Sequence, residues 1–289
     1  MLMEPEKMLE VWKSEKQEVS ALFKKTTQLA SDRKINLHYK IHDQHLDALI
    51  KKYELTARNH FQRAKKEFTT YFAGNKAPIV AFDVEEFHNE MSCILGVLVD
   101  RELHVEVFLD SLRRAPCPEE TARMTKDAGA WLRRIPGCPA VLTHGFNQTE
   151  REITGNLKNE CMNTQLLLTP MLQKVKGEGF LGGKLSDFEE LINFERVGCP
   201  FLKHAKDVEG AGVQKKEIAF LFPKQAKLSI WNIADGKPAR TCKLCGKEQD
   251  VFLYCLEDAI VTILIFLRAM NDEAKEKKGS GNKSSSPGS

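Results

Sequence analysis

The sequence has little net charge, few cysteines and no long apolar run free of charges. Its 289 residues hold 43 Lys and Arg against 40 Asp and Glu, which excludes a histone-like polycation and an acidic solvating chain. Eight cysteines are too sparse for a disulfide scaffold. The most apolar stretch, residues 251–270, carries Glu257 and Asp258, so we expect no membrane span. The first residues lack the apolar core of a signal peptide, so we expect an intracellular protein of the cytoplasm, nucleus or nucleoid.

Proline and glycine are nearly absent from residues 1–76, where only Pro5 and Gly74 occur. Apolar residues recur there at helical spacing, which predicts two or three helices with a break near residues 31–36. This region holds 15 Lys and Arg against 10 Asp and Glu, whereas the rest of the chain holds 28 against 30. The same helices are a candidate surface for an oligomer or a protein partner.

A basic cluster within these helices predicts a nucleic-acid-facing surface, with Phe61 and Tyr71 as its aromatic members. A charged helix face is more often simply solvated, and that alternative stays open. The cluster comprises Arg58, Arg63, Lys65 and Lys66.

The composition changes after Gly74, and residues 77–273 have the pattern of an α/β domain. Apolar runs predict strands at 79–82, 92–99, 104–109 and 140–143, and helices at 118–134, 149–160, 164–175 and 185–194. Three strands, a helix and a fourth strand are similar in order to a ribonuclease H-like mixed sheet flanked by helices, among other α/β folds. A last helix is predicted over about 249–272, with a flexible polar tail at 274–289.

Carboxylates at a strand end and inside a helix point to a metal site. Asp83 and Glu85 lie two apart at the end of the first strand, so both side chains face one way. Burying two carboxylates together is costly unless a cation compensates, and Mg²⁺ or Mn²⁺ prefers oxygen ligands. Asp258 lies in an apolar helix and shares a face with Tyr254. The alternatives are that the pair ends the strand in solvent and that Asp258 is exposed.

The segments Phe82–Glu85 (FDVE) and Tyr254–Asp258 (YCLED) resemble the first and third motifs of the DEDD 3′–5′ exonuclease superfamily. The tyrosine marks its DEDDy branch, which includes ribonuclease D and polymerase proofreading domains. The resemblance covers about residues 78–272 and implies a ribonuclease H-like fold. In the second motif Asn147 fits the family pattern, but Glu150 or Glu152 stands where the family has Asp.

The resemblance implies a two-metal mechanism. Asp83 would bridge two Mg²⁺ or Mn²⁺ ions, Glu85 and Asp258 would complete the shell of one ion, and Glu150 would lie in the outer shell. One ion would generate hydroxide and the other would stabilise the leaving 3′ oxygen, with Tyr254 orienting the water. The products would be nucleoside 5′-monophosphates from single-stranded DNA or RNA.

Two residues after the fourth strand, His144 and Asn147, are candidate nucleic-acid contacts. A lone histidine at a strand end is more often structural. Two other functions are compatible with the sequence. One is a catalytically silent ribonuclease H-like module that binds nucleic acid or protein, and the other is an endonuclease that uses the same acidic site.

A cysteine and histidine cluster predicts a structural zinc site that braces an insertion at residues 196–247. Cys242 and Cys245 form a CxxC followed by glycine, and Cys199 with His204 forms a Cys-x4-His pair upstream. The segment lacks an evident core of its own, so bound Zn²⁺ would help it fold. Cys255 is an alternative to Cys199, and a redox pair or ordinary thiols are the other interpretations.

Overall fold

The structure is a computed structural model that describes residues 37–87, 90–113, 118–145, 151–153, 161–166, 169–170, 173, 185–198, 240–241, 247–249 and 251–281. Its elements in chain order are α1 (Leu37–Arg63), α2 (Lys65–Gly74), β1 (Ile79–Phe87), β2 (Glu90–Val99), β3 (Val105–Ser111), α3 (Pro118–Arg134), β4 (Ala140–Thr143), β5 (Cys161–Asn163), α4 (Leu185–Leu191), β6 (Arg240–Thr241), β7 (Glu248–Gln249) and α5 (Val251–Gly281). Among these residues no helix is long and apolar enough to cross a membrane.

The main sheet has five strands in the order β3-β2-β1-β4-β5. β1, β2 and β3 form an antiparallel meander. β4 returns parallel to β1 after α3, and β5 adds parallel to β4. The expected α/β class, a mixed sheet flanked by helices, is therefore confirmed.

Alternate residues of β1 face two different helical layers. Ile79 and Ala81 lie in a cluster with apolar residues of α1, α2 and α5, whereas Val80 and Phe82 lie in a cluster with α3. This alternation follows from the two-residue period of a strand. It also explains the continuous apolar run of β1, because a central strand covered on both faces needs apolar side chains on both.

On the α3 side of the sheet, aromatic side chains pack closely around Gly96. In the strand register Gly96 lies between Phe82 on β1 and Phe108 on β3. Trp131 of α3 packs against both phenylalanines, with ring centroids 5.7 Å and 5.4 Å away. The glycine leaves room for the indole at a position where a larger residue would not fit.

α5 is buried on nearly every side, as a helix in the middle of a core must be. Phe252, Leu256 and Ile260 pack on the sheet with α1 and α2, whereas Val261 and Ile265 pack on α4. The Nδ2 amide of its Asn271 also donates a hydrogen bond of 3.0 Å to the main-chain carbonyl of residue 67 in α2. Side chains on residues 252–267 of this helix are consequently held in fixed positions.

Several boundaries differ from the sequence-based prediction. β1 continues to Phe87, so Asp83 and Glu85 lie inside the strand and not at its end. The short strand β5 occupies a gap between two predicted helices. α5 continues to Gly281, where a flexible tail was expected, because ion pairs from Asp272 to Arg268 and Lys275 support its last turns. The predicted break at residues 31–36 lies outside the described residues.

Candidate active site

β1 extends beyond its parallel neighbour, and this places two carboxylates at an edge of the core. β4 pairs with β1 only from Ile79 to Phe82, while β2 follows β1 as far as Phe87. Asp83 and Glu85 lie in this extension and are half-buried. The pairing of β1 with β2 shifts register between Glu85 and Glu86, where β2 has one extra residue, and such bulges are common beside functional sites.

The two carboxylates face α5, as the alternation of β1 requires. They continue the face that begins with Ile79 and Ala81, and this face packs on α5. A carboxylate oxygen of Asp83, one of Glu85 and the Sγ of Cys255 all lie within 4.8 Å of one another. The expectation that both carboxylates share one face is therefore confirmed, and a thiol accompanies them.

A second thiol lies directly behind the first. Cys93 of β2 is the cross-strand partner of Glu85, and its Sγ is 3.8 Å from that of Cys255. Both cysteines are fully buried. Burial raises the pKa of the Cys255 thiol well above its ordinary value, and Cys93 and the charges of Asp83 and Glu85 raise it further.

Tyr254 stands next to Cys255 on α5, and the charges of Asp258, Glu85 and Asp83 all act on it. Burial raises the pKa of its phenol well above the ordinary value, and the charges of Asp258, Glu85 and Asp83 act in the same direction, against that of Arg196. The hydroxyl therefore keeps its proton at neutral pH and can donate a hydrogen bond to a water or an oxygen ligand.

Asp258 is buried, and its partner in the described residues is Arg196. The Nη2 of Arg196 donates to Oδ1 of Asp258, and it also donates to Glu189 Oε1 at 2.5 Å. The guanidinium packs over the Tyr254 ring, 4.6 Å from its centroid. Burial raises the pKa of Asp258, and Arg196 opposes that rise. Arg196 is thus the partner of Asp258 in this structure, and a metal that compensates this carboxylate stays a prediction.

Glu257, the neighbour of Asp258, is held by backbone donors. Its Oε1 accepts hydrogen bonds from the main-chain N–H groups of Val197 and Gly198, and its Oε2 lies 3.7 Å from Arg196. Burial raises the pKa of Glu257 to about 7, although Arg196 and both N–H groups act in the opposite direction. This carboxylate therefore ties the segment after α4 to α5.

The structure gathers some of the predicted residues and separates others. Asp83 and Glu85 lie together beside Cys255, the neighbour of Tyr254 in α5, whereas Asp258 pairs with Arg196. Within the described part of the chain, Asp258 does not join the group that includes Cys255.

His144 follows directly after β4 and lies beside α4. Its Nδ1 is 3.1 Å from the Thr164 hydroxyl, and its ring meets Phe188 at 5.7 Å. These contacts favour a structural role over a phosphate contact.

Other predicted residues lie outside the described residues. β6 and β7 pair on either side of the CxxC segment, with Thr241 opposite Glu248. A structural Zn²⁺ there, bound by Cys199, His204, Cys242 and Cys245, stays a prediction. The same holds for Asn147 and Glu150 of the second motif.

The basic cluster is only partly as expected. Arg58, Arg63, Lys65 and Lys66 are exposed. Phe61 and Tyr71 were wrongly assigned to that surface, because they pack edge-on against Phe68 and Phe266 in the core. The exposed surface therefore offers charge without stacking partners.

Three of these residues were not predicted from the sequence as parts of an acidic site: Arg196, Glu257 and Cys93. Arg196 stands in a polar loop that carries no motif, so nothing local connects it with Asp258. Glu257 could have been noticed as a second carboxylate inside an apolar helix. Cys93 could not, because only the register of β1 and β2 brings it to Glu85.

Comparison with known proteins yields no matching family model, no similar curated protein and no similar solved structure.

Proposed function

We propose that this protein is a metal-dependent 3′–5′ exonuclease that hydrolyses single-stranded nucleic acid on a ribonuclease H-like domain. One observation carries the proposal. Asp83 and Glu85 from the central strand gather with Cys255 of the last helix, next to Tyr254, with Asp258 one helical turn after that tyrosine. These residues come from the two motifs that resemble the DEDDy pattern.

The strand arrangement supports the same proposal. Three antiparallel strands, a helix, and then strands parallel to β1 give the order β3-β2-β1-β4-β5, with α5 covering β1 and β2. This order agrees with a ribonuclease H-like sheet. Such a sheet hosts many functions, so the acidic site carries the functional argument.

The carboxylates fit a divalent cation. Asp83 and Glu85 provide hard oxygen ligands, and their partial exposure leaves a path for an ion and a phosphate. A cation bound there would supply an activated water and stabilise the leaving oxygen. The protonated Tyr254 hydroxyl would hold that water by a hydrogen bond. Arg196 would hold Asp258 ionised and oriented, because its guanidinium offsets the effect of burial on this carboxylate.

A second candidate function follows from the same arginine. Arg196 gives Asp258, the carboxylate of the third motif, a cationic partner that is not a metal. The alternative is accordingly a catalytically silent module that binds nucleic acid or a protein partner. The two candidates differ in whether Asp258 matters for hydrolysis.

The test uses 5′-labelled single strands of DNA and RNA with and without Mn²⁺, followed by denaturing electrophoresis. The exonuclease predicts a ladder that shortens from the 3′ end with the wild-type protein, and no ladder with Asp258→Asn. Asp47→Asn is the matched control, because Asp47 is exposed on α1. Internal cuts would indicate an endonuclease. Strand binding without any cleavage would reject the exonuclease in favour of the silent module.

A further inference from the structure

The four groups at the junction of β1, β2 and α5 do not form a purely oxygen site. Asp83 and Glu85 contribute carboxylates, and Cys255 contributes a sulfur within 4.8 Å of both. Cys93 places a second sulfur 3.8 Å behind the first. Oxygen and sulfur donors in one cluster select different metals from a cluster of carboxylates alone.

The ligand positions are fixed by the core. Asp83 and Glu85 are on one face of the central strand, and Cys255 is on the fully buried face of α5 that packs on it. Three donors from two rigid elements make a preformed site that loses little entropy when an ion binds. The carboxylates are half-buried and the thiols fully buried, so an ion would enter past the carboxylates and meet the sulfur last.

The spacing suits a small tetrahedral ion after slight side-chain rotation. Oxygen and sulfur ligands of Zn²⁺ stand roughly 3.5 Å apart when their bonds are about 2.0 Å and 2.3 Å long. The upper separation of 4.8 Å would close to that value by rotation of the two half-buried carboxylates. Three protein ligands would leave one position for water, the pattern of catalytic rather than structural zinc sites.

We propose that Asp83, Glu85 and Cys255 form a three-ligand site for a thiophilic divalent cation such as Zn²⁺ or Co²⁺, with Cys93 as the outer neighbour of the sulfur. Mg²⁺ binds thiolates poorly, so it would use the carboxylates alone and compete weakly. The inference goes beyond the proposed nuclease, since it concerns which metal binds and does not require that any strand be cut.

Titration of the purified full chain with Co²⁺ tests the site, because a thiolate ligand gives a sulfur-to-cobalt charge-transfer absorption in the near ultraviolet. We expect this absorption in the wild-type protein and expect it to persist in a large excess of Mg²⁺. The component due to this site should disappear in Cys255→Ser, with Co²⁺ affinity reduced at least ~100-fold, the upper end of the cost of losing an outer-shell partner. Cys138→Ser is the matched control, because Cys138 is exposed.

Asp83→Asn separates this site from the predicted cysteine-rich zinc site, where Co²⁺ would also absorb. The variant should remove the same component as Cys255→Ser, since both residues hold one ion. If Cys255 instead served the CxxC segment, Cys255→Ser would remove that component and Asp83→Asn would keep it, which overturns the proposal. Cys93→Ser should keep the component, because Cys93 is not a ligand.

Far-ultraviolet circular dichroism checks that each variant folds. If Cys255→Ser does not fold, Asp83→Asn decides the question alone, because its half-buried side chain changes by little more than its charge. A wild-type spectrum without sulfur-to-cobalt absorption, or one unchanged by Asp83→Asn, contradicts the proposal. A chain that binds Co²⁺ as described but cuts no strand supports this site and rejects the nuclease. A chain that cuts strands but shows no such absorption supports the nuclease and rejects this three-ligand site.

Discussion

At the scale of single residues, Arg196 holds together the charges on α5. It is one buried cation facing three carboxylates, those of Glu189, Glu257 and Asp258. Its charge is strongly favoured: burial alone would lower the pKa of the guanidinium, but Asp258 and Glu189 raise it above the ordinary value. Removing this cation leaves buried anions with no compensation, which costs far more than the net stability of the pair itself.

Arg196→Met should therefore lower the free energy of unfolding by about 3–5 kcal/mol, the usual loss when one partner of a buried ion pair is removed. Urea denaturation measures the change. Arg134→Met is the control, since Arg134 is exposed on α3, and it should change stability by no more than about 0.5 kcal/mol. Equal effects of the two substitutions would show that the Arg196 network contributes nothing to the fold.

The sequence could indicate the acidic residues of this network but not the cation. Asp83, Glu85, Tyr254 and Asp258 stand in short patterns whose periodicity assigns them to faces, and the structure agrees with that assignment. Arg196 lies in a loop, and the partner of a loop residue depends on tertiary packing that no local spacing encodes. For this reason the compensation of Asp258 by an arginine could not be predicted.

At the scale of elements, the contact between α3 and the sheet depends on Gly96, which has no side chain. A Cβ atom on Gly96 would lie 2.7 Å from Cε1 of Phe82 and 2.9 Å from Cζ3 of Trp131. Both rings are buried between strand and helix, so neither can move freely.

Gly96→Ala should consequently destabilise the protein by about 1–3 kcal/mol through overpacking. The midpoint of thermal unfolding measures the effect. Gly74→Ala is the matched control, since a Cβ there meets nothing within 4 Å, and it should be neutral or slightly stabilising. A Gly96→Ala variant as stable as Gly74→Ala would mean that α3 does not pack on the sheet in this way.

The packing of α1 should respond to pH through His60. This buried side chain stacks on Phe194 with ring centroids 4.8 Å apart. Burial, and then Arg63, lower the pKa of His60 below its ordinary value of 6.5. As the pH falls through about 6.5, His60 binds a proton in the unfolded chain while it stays neutral in the folded chain. The folded state therefore loses stability relative to the unfolded state.

We expect the free energy of unfolding of the wild-type protein to fall, relative to that of His60→Gln, as the pH drops from about 7.5 to about 5.5. Glu257, whose pKa is raised to about 7, acts in the opposite direction in both proteins. Chemical denaturation at a series of pH values measures both. His104→Gln is the control, because the His104 side chain is 64% exposed, and it should keep the wild-type dependence. If His60→Gln leaves the dependence of the free energy of unfolding on pH unchanged, His60 is not a buried histidine that stays neutral in the folded protein.

Elements with strong periodicity were predicted well, and marginal ones were not. The limits of α3 and β4 agree with the sequence pattern, because a capped amphipathic helix and a buried apolar strand both give clear signals. β5 was missed because three residues on the outer side of β4 carry no alternation. The end of α5 was placed too early because Lys and Glu residues favour both helices and polar tails.

At the scale of the whole molecule, the excess of basic residues lies in the helical region. Residues 1–76 hold 15 Lys and Arg against 10 Asp and Glu, and the rest of the chain holds 28 against 30. The exposed lysines and arginines at the end of α1 and the start of α2 are thus separate from the carboxylates at the junction of β1 and α5. This separation suits a protein that holds a phosphate backbone at one place and a cation at another.

Replacement of Lys65 and Lys66 by Gln should weaken binding of single strands and reduce its dependence on salt. Loss of two phosphate contacts would lower the slope of log affinity against log salt concentration by about 1.4. Fluorescence anisotropy at several salt concentrations measures this slope. The control replaces Arg133 and Arg134, two exposed cations on α3. Equal losses in both double variants would assign the effect to total charge and not to this surface.

The proposed nuclease requires a divalent cation held by β1 and α5 together. The most direct test is chromatographic measurement of nucleoside 5′-monophosphates released from a single strand by the wild-type protein and by Asp83→Asn. We predict release that requires Mn²⁺ and falls at least about a thousandfold in Asp83→Asn, because the cation contributes several kcal/mol to transition-state stabilisation. Release that is equal in the two proteins, or that persists when all divalent cations are chelated, would contradict the account.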